Sequence, residues 1–175
     1  ENNIVLLGPN GGRAEAQFLL DLPEEHKRGY KYVLFYMTDD PKSSRIIGSH
    51  DGIHWDPQSD TCIASDFTPD THCSIVWDPS TERFVWFARA TNIYRNRGER
   101  RKVARLEHTQ LWEEWPIRSE NILLPDQVDA KTLHNYFYGM PTTYHAGVYW
   151  GFLWSYQHQE DIYPSLAFSR DGHNF

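Results

Sequence analysis

The chain has 175 residues, a length that fits one compact domain, and its formal net charge is −7. This acidic balance argues against a nucleic-acid partner, since proteins that bind phosphate backbones usually carry a basic patch. The basic run 95–102 (RNRGERRK) contains Glu and Gly, and we interpret it as a solvated loop between strands. Because no apolar run approaches the ~20 residues of a membrane span, we expect no membrane partner either.

The two cysteines, Cys62 and Cys73, flank a predicted loop, and their spacing leaves open whether they pair. Neither belongs to a CxxC motif, and the sequence shows no zinc spacing and no phosphate loop, so the residues themselves predict no metal and no cofactor. The sequence begins at Glu1 without a signal peptide, a start that processing or trimming would also give. We expect a secreted or periplasmic location.

A short motif recurs at even intervals along the chain. It is clearest at 49–55 (SHDGIHW) and 169–175 (SRDGHNF), and a degenerate copy lies midway at 109–115 (TQLWEEW). Asp-Gly favours a tight turn, because Asp hydrogen-bonds its own backbone and Gly accepts a positive φ. We expect the aromatic residue that closes each copy to pack back between sheets.

Strand-like segments precede each copy of the motif in the same order. The first strands are predicted at 15–20, 72–77 and 136–140, the second at 30–36, 83–87 and 148–153, and the third at 44–48, 102–106 and 165–168. We expect a short outer strand after each turn, a hairpin turn at 78–81, and at most one helical turn within 21–29. Three strands, a turn and an outer strand make one propeller blade.

The fold class predicted is therefore all-β, with propeller blades of four antiparallel strands at about 13–57, 70–117 and 134–175. Closed propellers usually have four to eight blades. Three blades are too few, so we expect a segment of a longer protein, with the remaining blades or a second copy completing the fold.

The order of these segments resembles glycoside hydrolase families 43 and 32. The first blade is matched by 28–32 (RGYKY) with the motif at 49–55, the second by 70–79 (DTHCSIVWDP) with 83–89 (RFVWFAR), and the third by 138–141 (YGMP) with 149–152 (YWGF). The resemblance implies a five-bladed propeller, of which these are the first three blades. It also implies acidic residues from successive blades that line a central funnel.

Glycoside hydrolysis needs one protonated carboxyl group and one ionised carboxylate, and a third can tune the acid by like-charge repulsion. By the resemblance, Glu15 is the base or nucleophile, and Asp70 is the pKa modulator or transition-state stabiliser. The matching stretch of the third blade, 133–138, carries no Glu, so the nearest upstream carboxylate, Asp129, becomes the third catalytic candidate.

Five further residues are candidates for contact with the substrate: Arg13, His72, Arg89, His134 and Tyr138. The histidines either hydrogen-bond sugar hydroxyls or are ordinary satisfied histidines. The two arginines either bind a sugar carboxylate or sulfate through a bidentate fork, or pair with Glu15 and Asp70.

The function predicted is a glycosidase-like protein that cleaves a plant or algal polysaccharide or oligosaccharide. A non-catalytic carbohydrate-binding propeller is the main alternative. A sialidase-like enzyme is another, because the turn matches the Asp-box of those propellers, and a protein-interaction propeller is a fourth. Some relatives hold a structural calcium ion, for which the sequence shows no ligand set. The sugar, its linkage and the stereochemical outcome stay open.

Overall fold

A computed structural model describes residues 4–70, 72–89, 101–131, 136–156 and 161–175. The chain is all-β, as predicted, with three four-stranded antiparallel sheets that resemble propeller blades and very little helix. The strands are β1 (Glu15–Leu19), β2 (Tyr32–Asp39), β3 (Lys42–Ser49), β4 (Thr61–Ser65), β5 (Ser74–Asp78), β6 (Arg83–Arg89), β7 (Val103–His108), β8 (Glu120–Leu123), β9 (Tyr136–Gly139), β10 (Thr142–His145), β11 (Val148–Tyr156) and β12 (Ile162–Ser169). The basic run predicted at 95–102 and the start of the third predicted blade lie largely outside the described residues.

The chain divides into two compact units. Unit 1 comprises 1–68 and 108–117 and contains the first sheet, with strand order β1-β2-β3-β4. Unit 2 comprises 69–107 and 118–175 and contains the second and third sheets. All nine of the first, second and third strands predicted from the sequence are present, with ends that differ by a few residues.

The second sheet has the order β5-β6-β7-β8, and its first hairpin turns where the sequence predicts it. The turn is held by the carboxylate of Asp78, whose Oδ1 accepts hydrogen bonds from the backbone N–H of Ser80 at 2.9 Å and from its hydroxyl at 2.6 Å. An Asp side chain that closes on the residue two positions on is a common device for starting a turn.

The third sheet differs from the prediction at its inner edge. Two short strands, β9 and β10, both pair with the long strand β11, which in turn pairs with β12. Pro141 lies between them, and a proline lacks the N–H that a continuous ladder needs. The inner strand therefore breaks in two, and the register shifts between Trp154 and Ser155.

Both clear copies of the motif form the same Asp-box turn. In the first, Asp51 Oδ1 accepts the backbone N–H groups of Ile53 and His54 at 2.8 and 2.7 Å, and Ser49 Oγ accepts that of Gly52 at 2.9 Å. In the second copy, Asp171 and Ser169 accept the equivalent three N–H groups at 2.9, 2.8 and 2.9 Å. The glycines have φ of +79° and +71°, which only the missing Cβ makes easy.

The closing aromatic residues are packed inside their units. In unit 1, Trp115 is buried, and its backbone N–H donates to the carbonyl of Ile63 in β4 at 2.7 Å. In unit 2, the ring of Phe175 lies 5.8 Å from that of Phe87, edge to face. Each therefore contacts the sheet that precedes its own blade, which is the packing between sheets that the repeat predicts.

Each unit has its own apolar core. In unit 1, Leu34, Tyr36 and Ile47 are buried against Trp55. The core of unit 2 is formed by Val76, Val85, Phe87, Val103, Phe137, Met140 and Tyr149. The one turn predicted within 21–29 is present as a 3-10 turn at Glu24–His26, and a five-residue helix, α1, covers Gln127–Lys131. None of the described helices is long and apolar enough to cross a membrane.

Candidate functional site

The candidate site is built from the inner strands of the two sheets in unit 2. Asp70 and His72 lie just before β5, and both have left-handed backbones, with φ of +64° and +60°. Six other described non-glycine residues also have a positive φ, and Asp and His adopt this conformation more readily than most residues. The backbone conformation therefore sets the direction of the chain into β5 and does not by itself mark a site.

Arg89, at the end of β6, joins Asp70 to the third sheet. Its guanidinium forms an ion pair with the Asp70 carboxylate, and the arginine side chain is 3% exposed whereas that of Asp70 is 36% exposed. A second guanidinium nitrogen donates to the backbone carbonyl of Tyr138 in β9 at 3.0 Å. The same guanidinium lies 4.7 Å from the centre of the Tyr138 ring. The buried guanidinium of Arg89 is thereby stabilised by one carboxylate, one carbonyl group and one aromatic face.

His72 packs against side chains of the paired strands β9 and β11. Its ring centre lies 4.4 Å from that of Trp154 and 5.3 Å from that of Tyr138. Gly139 makes this approach possible, because a Cβ atom there would meet the Cβ of His72 at 2.6 Å. Burial and the Arg89 cation lower the pKa of His72, against the opposing charge of Asp70. The imidazole is therefore neutral near pH 7, with one nitrogen to donate and one to accept.

Arg101, just before β7, adds a second cation. Its guanidinium carbon lies 4.7 Å from the centre of the Tyr138 ring and 5.5 Å from that of Tyr156. The backbone carbonyl of Arg101 accepts the N–H of Phe137 at 3.1 Å, which fixes its position beside β9. We call the whole group the inner-strand cluster; its members are Asp70, His72, Arg89, Arg101, Tyr138, Trp154 and Tyr156.

The structure places the sequence-predicted residues in different parts of the chain. Asp70, His72, Arg89 and Tyr138 come together in the inner-strand cluster. Glu15 belongs to unit 1, where it pairs with Arg13 at 3.1 Å on the surface. Of the two alternatives for the arginines, ion pairing with Glu15 and Asp70 is the one present in both cases. His134 lies outside the described residues.

Asp129 lies in α1, where its Oδ2 accepts the backbone N–H of Asp126 at 2.8 Å. This hydrogen bond stabilises the N-terminal end of α1. Its assignment as a catalytic acid rests on the family resemblance.

Both cysteines are free, Cys73 being buried in unit 2 while Cys62 belongs to unit 1.

Three members of the cluster were not predicted from the sequence. Arg101 lay within the basic run that was interpreted as a loop. Trp154 and Tyr156 alternate on β11, so the period of two along a strand was the signal that could have placed them together.

The described residues of unit 1 form a cleft whose lining is mainly apolar. A shallow cleft of about 300 Å³ in unit 1 is lined by Val5, Leu6 and Trp55, and its one acidic residue, Asp60, is bound by Tyr36 and Arg45. No group of three or more His, Cys, Asp or Glu side chains among the described residues is placed to hold a metal ion.

Among comparisons with known proteins, only those with solved structures give a match. No protein-family model matches the chain, and no curated protein matches it. Two solved structures are similar. One is a complex of BT0996 with RGII, with a TM-score of 0.61 and 14% identity over 90% of this chain. The other is an N-acetylgalactosamine deacetylase from F. plautii in complex with blood group B trisaccharide, with a TM-score of 0.57 and 13% identity over 95% of this chain.

This chain spans 46% and 52% of those two proteins, or about half of each. At such low identity the likeness shows the β fold alone. The likeness agrees with the predicted all-β fold and does not select families 43 and 32.

Proposed function

We propose that this chain recognises a saccharide at the inner-strand cluster. The observation that carries the proposal is the combination of a neutral imidazole, the partly exposed guanidinium of Arg101 and three aromatic rings at one place. Sugars present hydroxyl groups that need donors and acceptors, and C–H faces that pack on aromatic rings. The likeness in fold to a deacetylase solved with a trisaccharide adds support.

A titration with purified oligosaccharides tests this proposal. His72→Ala removes a ring between two aromatic side chains and a hydrogen-bonding group, so we expect binding to weaken about five- to tenfold, the equivalent of about 1–1.4 kcal/mol. His145→Ala is the matched control, since His145 is exposed on β10 of the same unit. Unchanged affinity in His72→Ala, or the absence of binding across the panel, would show that the proposal is wrong.

Glycoside hydrolysis is the finer proposal for the same site. Its specific support is the carboxylate of Asp70, which is 36% exposed within the cluster and which the resemblance places among the catalytic acids. Asp70 is the one carboxylate in the inner-strand cluster, so hydrolysis requires a second carboxyl group at roughly 5–10 Å. Glu15 and Asp129 are the candidates that the family pattern offers for that role.

Turnover separates hydrolysis from binding. We expect the chain to release shorter products from a plant or algal polysaccharide, and Asp70→Asn to abolish the release while it keeps the side-chain shape. Asp161→Asn, an exposed substitution elsewhere in unit 2, is the control. If chromatography detects no product from any polysaccharide that the chain binds, hydrolysis is excluded and the non-catalytic alternative is retained.

A further inference from the structure

We propose that the saccharide carries a carboxylate group, as a uronic acid does, and that Arg101 binds it. This inference rests on the proposed saccharide recognition and adds the chemical class of the ligand. Arg101 lies partly exposed against two tyrosine rings, with its guanidinium carbon 4.7 Å from the Tyr138 ring and 5.5 Å from the Tyr156 ring.

Charge balance distinguishes Arg101 from its neighbour. The guanidinium of Arg89 is matched by Asp70, whereas Arg101 has no carboxylate within 4 Å among the described residues. Other arginines are paired with acids: Arg13 with Glu15, Arg45 with Asp60, and both Arg83 and Arg105 with Glu107. With His72 neutral, the described residues of the cluster carry two cations and one anion, in a chain of net charge −7.

The geometry of a stacked guanidinium favours a planar anion. A ring against the guanidinium face leaves the N–H groups along its edge able to bind in the plane, and two parallel N–H groups match the two oxygens of a carboxylate. The carboxylate of a uronic acid is attached directly to the sugar ring. Arg101 and His72 both lie against the ring of Tyr138, at 4.7 and 5.3 Å, so one ligand that binds Arg101 through its acid can place its sugar ring beside His72.

Matched acidic and esterified sugars test the inference directly. We would titrate the full chain, by calorimetry, with trimers of galacturonate, mannuronate and glucuronate, with their methyl esters, and with neutral trimers of the same ring. The ester keeps the sugar ring and removes the charge. We expect at least one free acid to bind about tenfold or more tightly than its ester, because charge-assisted hydrogen bonds are the strong ones.

Two variants of Arg101 connect this preference to the residue. Arg101→Gln should abolish the difference between acid and ester, and Arg101→Lys should keep part of it, since the charge remains but the planar fork is lost. Arg28→Gln is the control, because Arg28 is an exposed arginine that lies 5.2 Å from the ring of Trp112 in unit 1. Circular dichroism and thermal unfolding verify that each variant is folded.

The ways in which the inference can fail are distinguishable. If acids, esters and neutral trimers bind equally well, or if Arg101→Gln retains the preference for the acid, this inference is overturned while saccharide recognition stands. If neutral sugars bind and no acid does, this inference is likewise overturned while saccharide recognition stands. If none of the sugars binds, both the inference and the proposed function are overturned.

Discussion

The carboxylate of Asp78 is almost fully buried, and its hydrogen bonds offset the energetic cost of burying its charge. It is 3% exposed, at the end of β5, and its Oδ2 accepts the hydroxyl of the fully buried Tyr149 at 2.6 Å. Burial opposes its charge, yet the hydrogen bonds from Ser80 and Tyr149 hold the pKa of Asp78 below its ordinary value. Burial, with the Asp78 carboxylate beside it, raises the pKa of the Tyr149 phenol.

Removing the phenol hydroxyl should therefore be costly. Tyr149→Phe keeps the ring in the core but leaves one Asp78 oxygen without its donor, and we expect the free energy of unfolding to fall by about 1–3 kcal/mol. Urea denaturation monitored by fluorescence measures the change. Tyr163→Phe is the matched control, because Tyr163 donates to Asp161 at 3.1 Å in an exposed pair. Equal losses in the two variants would contradict the argument.

The residues of the inner-strand cluster illustrate what local sequence can reveal. Four members can be predicted from the sequence because they lie in segments that resemble a known order of blades: Asp70, His72, Arg89 and Tyr138. The sequence does not predict Arg101, Trp154 and Tyr156 as members, since their meeting depends on how the second and third sheets of unit 2 pack. The left-handed backbone at Asp70 and His72 is compatible with the sequence, because Asp and His adopt a positive φ more readily than most non-glycine residues, but these residue types do not specify it.

At the scale of the element, the Asp-box turn was the most predictable feature of the chain. Its hydrogen bonds are formed among residues within five positions of one another, so the sequence alone contains the information for them. The split of the third inner strand into β9 and β10 was not predicted, although Pro141 stands at the break. A proline limits pairing, but whether the chain resumes pairing afterwards depends on the partner strand β11.

Acid should weaken both Asp-box turns. The side chain and backbone N–H of His54 lower the pKa of Asp51, and the backbone and side-chain N–H groups of Asn174 lower that of Asp171. A depressed folded-state pKa contributes stability that is present above the unfolded-state value of about 3.9 and is lost as the pH falls below it. We expect the urea midpoint to fall steadily as the pH is lowered from about 5 to about 3.

A variant of one turn isolates its share of this pH dependence. Asp171→Asn keeps a side-chain oxygen that can accept the N–H groups but has no charge to lose, so its urea midpoint should fall less steeply with acid. Asp161→Asn, an exposed change outside the turns, should follow the unsubstituted chain. If Asp171→Asn has the same slope as the unsubstituted chain, the second Asp-box contributes nothing to acid sensitivity.

At the scale of the whole molecule, charge limits the kinds of partner that the chain can hold. The net charge is −7, and many of its cations are held in local pairs with acids, among them Arg13 with Glu15, Lys27 with Glu24 and Arg45 with Asp60. A polyanion binds to an extended array of cations, whereas a single sugar acid needs one well-placed guanidinium. We therefore expect no binding to a nucleic acid, whereas the acidic sugar proposed above needs only the guanidinium of Arg101.

Duplex DNA provides the test of this distinction. We expect a labelled duplex of about 20 base pairs to show no binding by fluorescence anisotropy at protein concentrations up to about 100 μM in about 0.1 M salt, since non-specific affinity arises from phosphate neutralisation. Arg101→Gln should leave that result unchanged, because one cation does not make a polyanion site. A micromolar affinity that falls steeply with salt would overturn the prediction. The basic run 95–102 would then be the first place to substitute, and loss of DNA binding on replacing its arginines would identify it as a phosphate-binding segment.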